Sequence, residues 1–563
     1  MEYANRRVVS MKSLIHNGVL VTSYEPKGYR IRFCGKELKL TPGQEEMAVA
    51  WVKKLGTEYV QDPVFESNFF EDFCKALGIA DDGKAKPSAK DFDFSEIIAA
   101  VGKERAAKES MNKGEKKALA VQRKAAREAN REKYGYAVVD GERVELSNYV
   151  VEPSSIFMGR GKHPLRGRWK RGATHEDITL NLSPDAKRPP GKWKEVVWNG
   201  DFMWIARWDD SLRGKEKYVW LAETSPMRQQ KEIDKFDNAI ELAKVYGKIR
   251  KHIIDNLAAE DEKRRKVATV CYLIDALNIR VGDEKGDEEA DTVGATTLTN
   301  KNVIVKQGNT VEFDFLGKDS VRMQRELELP PQVVRNLQEF IRGAEENAKT
   351  EDDGKAMIFE GVRSEAVCEF LDEIAPDVTA KVFRTFHSTE AVRNYLEKSP
   401  VKPDDADDYK KYIAAMANLQ AAIVCNHKRK LPKNWEESLR KKEESLRKLE
   451  AKLEEAKKKA AEKAKAAAEK ARKELIESMK KERPARPKKA QRDPTKKYKE
   501  AIERMKLRLK TIQATKDYNL NTSLKNYIDP RVYKRWADAA RFEWTKYYPK
   551  TMQKKFSWVE KTK

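Results

Sequence analysis

Thr522-Ser523-Leu524-Lys525-Asn526-Tyr527-Ile528-Asp529-Pro530-Arg531 stands near the end of a chain of 563 residues. A tyrosine in such a run carries little meaning alone. Its reading changes beside four residues far upstream, Arg280, Lys318, Arg384 and His427, each in a run of its own. Two guanidiniums, an amine, an imidazole and a phenol are together the groups needed to break a phosphodiester by phenol attack without a metal ion.

The rest of the composition suits a polyanionic partner. Lys and Arg number 114 against 91 Asp and Glu, a formal net charge of +23. Basic residues bind a polyphosphate backbone by releasing its counterions, so nucleic acid is the expected partner. The duller alternative is that Lys and Glu only solvate helices. The five cysteines (Cys34, Cys74, Cys271, Cys368 and Cys425) are odd in number and scattered without a CxxC pair. That pattern points to neither a disulfide framework nor a zinc site, and it fits a reducing, intracellular compartment. No apolar run reaches 18 residues, and Met1-Glu2-Tyr3-Ala4-Asn5-Arg6-Arg7 lacks the apolar stretch of a secretory signal.

The expected fold class is α+β and multidomain, in four parts. Residues 1–224 read as a mixed N-terminal lobe. Tyr29 to Leu40 alternates polar and apolar residues about a Gly-containing turn, a hairpin signal. Phe65, Phe69, Phe70 and Phe73 recur at helical spacing and read as core, and residues 104–134 read as one charged helix. Short strands and turns follow from 137 to 224. Among them lies Gly159-Arg160-Gly161-Lys162-His163-Pro164, where glycines interleaved with cations let backbone approach phosphate. Residues 225–432 read as mainly helical, interrupted by strands near 302–328. Residues 433–512 read as an antiparallel coiled-coil hairpin. Leu439, Leu446, Leu449 and Leu453 mark the first helix, and Ile502, Met505, Leu509 and Ile512 the second, with Pro484, Pro487 and Pro494 between. Residues 513–563 are rich in aromatics and read as a small folded module carrying Tyr527.

A phenol, with a pKa of about 10, is a poor nucleophile at neutral pH without help. Its attack on a phosphodiester builds charge on the non-bridging oxygens. Arg280 and Arg384 can hold that charge through paired N–H donors. His427 can donate a further hydrogen bond. The leaving 5′-oxygen needs a proton, and Lys318 is the candidate general acid. Singly, each residue has a structural explanation: an ion-paired Arg at a helix end, a solvated Lys in a turn, a core His. Their joint occurrence gives the catalytic reading its weight.

The runs that hold these residues resemble the eukaryotic-type DNA topoisomerase IB family: Ala290-Asp291-Thr292-Val293-Gly294, Glu312 to Ser320, Thr379 to Thr385, Cys425-Asn426-His427 and Asn526 to Arg531, in family order. The likeness covers nearly the whole chain. It implies Tyr527 as nucleophile and Arg280, Lys318, Arg384 and His427 as the transition-state set. It implies a clamp around double-stranded DNA, with a cap from the N-terminal half, a recombinase-like catalytic lobe and a coiled-coil linker leading to an α-helical C-terminal module. It also implies that Arg160, Lys217, Tyr218, Lys235, Lys285, Thr292, Asp319, Lys381 and Asn526 lie near DNA. The expected protein is a monomer that needs no cofactor and no membrane and responds to camptothecin-like interfacial poisons.

Three positions depart from the family pattern: Met158 in place of a basic residue, Asp283 in place of an amide, and Leu524-Lys525 in inverted order. The lack of a long charged N-terminal extension favours an archaeal or compact member, or a trimmed form, in the cytoplasm or nucleoid, with the nucleus as the alternative. Tyrosine recombinases use a similar residue set. They carry a His three residues before the second Arg, where this chain has Lys381, and His427 lies 43 residues beyond Arg384. A non-enzymatic architectural DNA-binding protein is the rival of another class, but it leaves the five-residue set as coincidence.

Overall fold

The computed structural model describes residues 10–79, 87–159, 161–282, 292–348, 356–376, 378–432, 434–478 and 493–561. Among these, 15 α-helices and 15 strands form a mixed architecture with several hydrophobic cores.

The N-terminal lobe has two cores. In the first, Arg30–Phe33 pairs with Lys36–Lys39 through Cys34 and Gly35, both at positive φ (47° and 81°), as a two-residue hairpin turn requires. The Pro63–Leu77 helix lays Phe65, Phe69, Phe70 and Phe73 into this core, all fully buried around Trp51. The second core is built on a sheet in which Leu14–His16 pairs with Tyr136–Val139, and on a four-stranded sheet. That second sheet ends in the hairpin of Trp204–Asp209 and Glu216–Trp220. The expected single helix over 104–134 is two helices, Ser95–Ser110 and Lys113–Tyr134. Asn112 restarts the helix. Its side chain accepts from the Gly114 and Glu115 N–H groups while Glu115 accepts from the Asn112 N–H, a reciprocal cap.

The central lobe is mainly helical, as expected. The Pro226–Asn256, Glu262–Leu277 and Ala380–Lys398 helices pack with a three-stranded antiparallel sheet, Val303–Val305, Thr310–Gly317 and Val321–Glu328. Leu242, Leu273, Phe313, Leu337 and Phe383 fill this core. The 44-residue Trp435–Ser478 helix then packs along Lys496–Ala514. Ile502 and Leu509 are buried, and Leu439, Leu446, Leu449 and Leu453 are half-buried. Pro484 and Pro487 lie outside the described residues.

The C-terminal segment, expected as a small folded module, shares its core with the central lobe. Leu524, Ile528, Val532, Tyr533, Phe556 and Trp558 share one buried cluster with Phe236, Val392, Leu396, Ile413 and Ala417 of three central helices. The last 50 residues are too short to close a core alone, so their aromatics complete one that the central lobe leaves open. Full burial of a side chain such as Phe556 is worth about 1.5–3 kcal/mol. No helix among the described residues is long and apolar enough to cross a membrane.

Candidate active site

The Glu262–Leu277 helix ends at Asn278, which adopts a left-handed conformation (φ 54°, ψ 35°). Ile279 turns inward and Arg280 outward. Two glycines fix the path beyond. A Cβ on Gly294 would lie 2.4 Å from the Gly282 Cα, so only glycine lets these backbones cross. Ala295 N–H donates to the Arg280 carbonyl, and Val293 N–H to that of Leu316. The segment after Arg280 is thereby stitched to the hairpin of Thr310–Gly317 and Val321–Glu328, whose turn carries Lys318.

Arg384 lies one turn into the Ala380–Lys398 helix and is buried. It donates to the carbonyls of Asn278 and, at 3.2 Å, Cys425. Its Nε is buried with no partner. The Asp407–Val424 helix ends through Asn426 at positive φ, and His427 N–H returns to the Ala422 carbonyl. His427 in turn accepts from Asn519 N–H, drawing the C-terminal segment in. Tyr527 ends the Leu520–Asn526 helix and is 4% exposed.

Four of the five predicted residues meet directly. Arg280 Nη2 donates to the Tyr527 hydroxyl at 3.1 Å. The Arg384 guanidinium lies 5.1 Å from the Tyr527 ring centre, and the His427 ring 5.2 Å from it. Arg384 Nη2 is 3.5 Å from His427 Nε2. Lys318 is exposed, and with Arg280, Arg384 and His427 it lines a cavity of about 210 Å³. Burial, and after it the guanidiniums of Arg384 and Arg280, push the His427 imidazole down to about 3. At neutral pH the ring is therefore neutral, and the positive charge of the site rests on the arginines and Lys318.

Of the residues expected near DNA, Thr292 and Lys381 line a second cavity of about 420 Å³ that also touches Arg280, Lys318 and Arg384. Asp319 follows Lys318 in the turn. Asn526 Nδ2 donates to the Thr522 carbonyl. Lys217 and Tyr218 stand away on the N-terminal lobe, the lysine 3.7 Å from Asp210 and the phenol donating to Glu216. Lys235 pairs with Glu232 at 2.6 Å, and burial pushes its amine down to about 8. Arg160, Lys285 and Asp283 lie outside the described residues. Gly161 itself sits beside the Lys318 turn: a Cβ on it would lie 2.6 Å from Ser320 Oγ.

Two of the three departures from family pattern have local explanations. Met158 packs on the first N-terminal core. The inverted pair puts Leu524 into the shared C-terminal cluster and turns Lys525 to Glu223 at 3.0 Å.

Several polar residues escaped the sequence reading. Thr389 Oγ1 donates to the Tyr527 carbonyl and accepts from Asp529 N–H. Ser523 Oγ is 2.6 Å from His427 Nδ1. Lys555, almost wholly buried, lies 3.2 Å from Glu232 and 3.6 Å from Glu223. A chain of charges, Lys525–Glu223–Lys555–Glu232–Lys235, thus joins the C-terminal segment to the Pro226–Asn256 helix and the residues before it. Only the adjacency of Ser523 to the tyrosine run was a sequence signal.

Comparison with known proteins gives a consistent picture. The family model for the DNA-binding fragment of eukaryotic DNA topoisomerase I matches residues 9–221, and that for its catalytic core residues 224–460. A C-terminal topoisomerase domain matches 499–563. The chain is 34% identical to DNA topoisomerase 1 beta of Arabidopsis thaliana over 97% of its length, spanning 58% of that relative. It is 32% identical to DNA topoisomerase 1 of Rattus norvegicus and 31% to that of Homo sapiens, over 98% of this chain and 70% and 71% of theirs.

Proposed function

Because the chain belongs to the eukaryotic-type DNA topoisomerase IB family, we propose that it relaxes positive and negative supercoils in duplex DNA by reversible nicking of one strand. The observation that carries this reading is the 3.1 Å contact between Arg280 and the Tyr527 hydroxyl, groups 247 residues apart in the chain.

The phenol oxygen of Tyr527 attacks a backbone phosphorus as its proton leaves to solvent. The Oη–P bond forms as the bond from phosphorus to the 5′-oxygen breaks, giving a 3′-phosphotyrosyl link and a 5′-hydroxyl. Arg280 and Arg384 hold the charge that builds on the non-bridging oxygens, and the free Nε of Arg384 leaves donor capacity for it. His427 donates one further hydrogen bond. Lys318 protonates the leaving 5′-oxygen. The covalent link conserves the phosphodiester energy, so neither ATP nor a metal ion is called on. The nicked strand swivels under torque, and the 5′-hydroxyl reverses the reaction.

In this reading residues 1–224 form the cap of a clamp, 225–432 the catalytic lobe, 433–512 a coiled-coil linker that adds friction to rotation, and 513–563 the tyrosine domain. The closeness of the Gly161 loop to the Lys318 turn supports a clamp that closes over DNA. The protein acts as a monomer, contacts chiefly the DNA backbone, and is sensitive to interfacial poisons that lodge near Asn526, Asp319 and Arg160. The plant and mammalian relatives favour the nuclear alternative over an archaeal nucleoid. The test is relaxation of supercoiled plasmid in EDTA without ATP: wild type relaxes it, and Tyr527→Phe does not. Relaxation by the Phe variant overturns the assignment.

A further inference from the structure

The mechanism leaves one buried polar group at the site unused. Ser523 is fully buried, four residues before Tyr527, and its Oγ is 2.6 Å from His427 Nδ1. The groups facing the His427 ring are Arg384 on the Ala380–Lys398 helix, Arg280 beyond the Glu262–Leu277 helix, and Ser523 and Tyr527 of the C-terminal segment.

A neutral imidazole carries one N–H, so one ring nitrogen donates and the other accepts. Arginine only donates. With Arg384 Nη2 turned to Nε2 at 3.5 Å, the ring proton belongs on Nδ1, and Ser523 Oγ accepts it. That tautomer has no Nε2–H to offer a phosphate. When a phosphate draws the Arg384 guanidinium to itself, Nε2 must carry the proton and Nδ1 must accept. A serine hydroxyl meets both needs by rotating about its C–O bond. One proton leaves Nδ1 to water and one arrives at Nε2 from water, so the ring stays neutral throughout.

We propose that Ser523 is a positioning residue for His427: once a phosphate has drawn Arg384 away, its hydroxyl donates to Nδ1 and so holds the ring as an Nε2–H donor to the scissile phosphate. The inference rests on the reading of Tyr527 as nucleophile and His427 as phosphate donor. It adds an interlock. Ser523 lies on the helix that delivers Tyr527, and its carbonyl accepts the Tyr527 N–H at 2.9 Å. His427 is therefore held in the donor tautomer only when the tyrosine helix is seated and a phosphate is bound.

The test uses the full chain and a duplex oligonucleotide whose cleavage releases a short 5′-hydroxyl fragment, so that the covalent adduct accumulates. Wild type, Ser523→Ala, Ser523→Thr and Tyr527→Phe are compared. Ser523→Ala is expected to slow single-turnover cleavage about 10²-fold, the cost of losing one preorganised donor, with duplex affinity unchanged. Ser523→Thr, which keeps the hydroxyl, recovers most of the rate. In protein labelled with ¹⁵N-histidine, His427 should carry its proton on Nδ1 when free and on Nε2 with duplex bound to Tyr527→Phe. Ser523→Ala should lose that change. Wild-type cleavage by Ser523→Ala, no rescue by Ser523→Thr, or one tautomer in both states overturns the proposal. Adduct formation by Tyr527→Phe would instead overturn the underlying function, so the two failures are separable.

Discussion

Acid should loosen this fold through His427. In the folded chain the ring resists protonation down to about 3, whereas its ordinary value is 6.5. Between those values the unfolded chain binds one more proton than the folded one. Stability is therefore full above the ordinary value and falls as pH drops through the window below it. The single-site relation gives a loss of about 0.8 kcal/mol near pH ~6 and about 2 kcal/mol near pH ~5. His427→Gln removes the titrating ring and retains a polar side chain. Guanidinium unfolding, followed by tryptophan fluorescence from the Trp544 and Trp558 cluster, should show the difference between the two proteins narrowing by about 2 kcal/mol from pH ~7.5 to pH ~5. Burial pushes His16 down to about 4 as well, but that ring is present in both proteins and cancels. Parallel loss of stability in wild type and variant would mean the His427 ring titrates normally. The neutral-imidazole account, and the tautomer argument with it, would then fail.

Two further outcomes follow from contacts between the parts of the chain. Glu232→Gln leaves the buried Lys555 and Lys235 with one carboxylate fewer between them, at a cost of about 3 kcal/mol. Cleavage and resealing should slow together while duplex binding persists, and unchanged adduct yield with unchanged melting would refute the role of this network. Gly161→Ala places a Cβ against Ser320 and forces a non-glycine residue to a φ of 61°, a strain of about 1–2 kcal/mol. The N-terminal loop should move off the Lys318 turn, weakening duplex affinity with little change in melting temperature, and wild-type affinity would show that the loop is not needed to close on DNA.

What the sequence revealed and what it hid divide by range. Phe65, Phe69, Phe70 and Phe73 declared a helix face because their spacing is local. The Thr310–Glu328 hairpin was legible for the same reason, since alternation and a Gly-Lys-Asp turn lie in one stretch. The helix break at Asn112 was missed although its cap, Asn112 with Glu115, is written in the sequence. Long helical composition on both sides masked it. Pairing of Leu14–His16 with Tyr136–Val139 joins segments more than 100 residues apart and left no local trace. At the site, residue types and their runs pointed to Arg280, Lys318, Arg384, His427 and Tyr527. Ser523, Thr389 and Lys555 could not be read, because a buried serine, threonine or lysine looks like a surface one until the fold supplies its partner.

Those unread residues decide how the tyrosine is aimed. The shared aromatic cluster supplies most of the attraction between the C-terminal segment and the central helices, but apolar burial is non-directional and tolerates small slips. An in-line attack does not, since a shift of about 1 Å can cost ~10² in rate. Direction must come from hydrogen bonds with fixed geometry, and these encircle Tyr527. Thr389 grips its carbonyl from the helix that bears Arg384, Ser523 meets His427, and Asn519 N–H meets the His427 carbonyl. Each ties the proposed nucleophile to an element that also holds one of the groups proposed to stabilise charge. In the proposed reaction cleavage and resealing pass through one transition state in opposite directions. A variant that loosens these ties should therefore slow both steps by the same factor and leave the ratio of nicked to closed DNA unchanged; loss of Lys318, which gives the 5′-oxygen its proton in cleavage and takes it back in resealing, should also slow both, but its cleavage defect should vanish on a duplex whose leaving 5′-oxygen is replaced by sulfur, which departs without a proton.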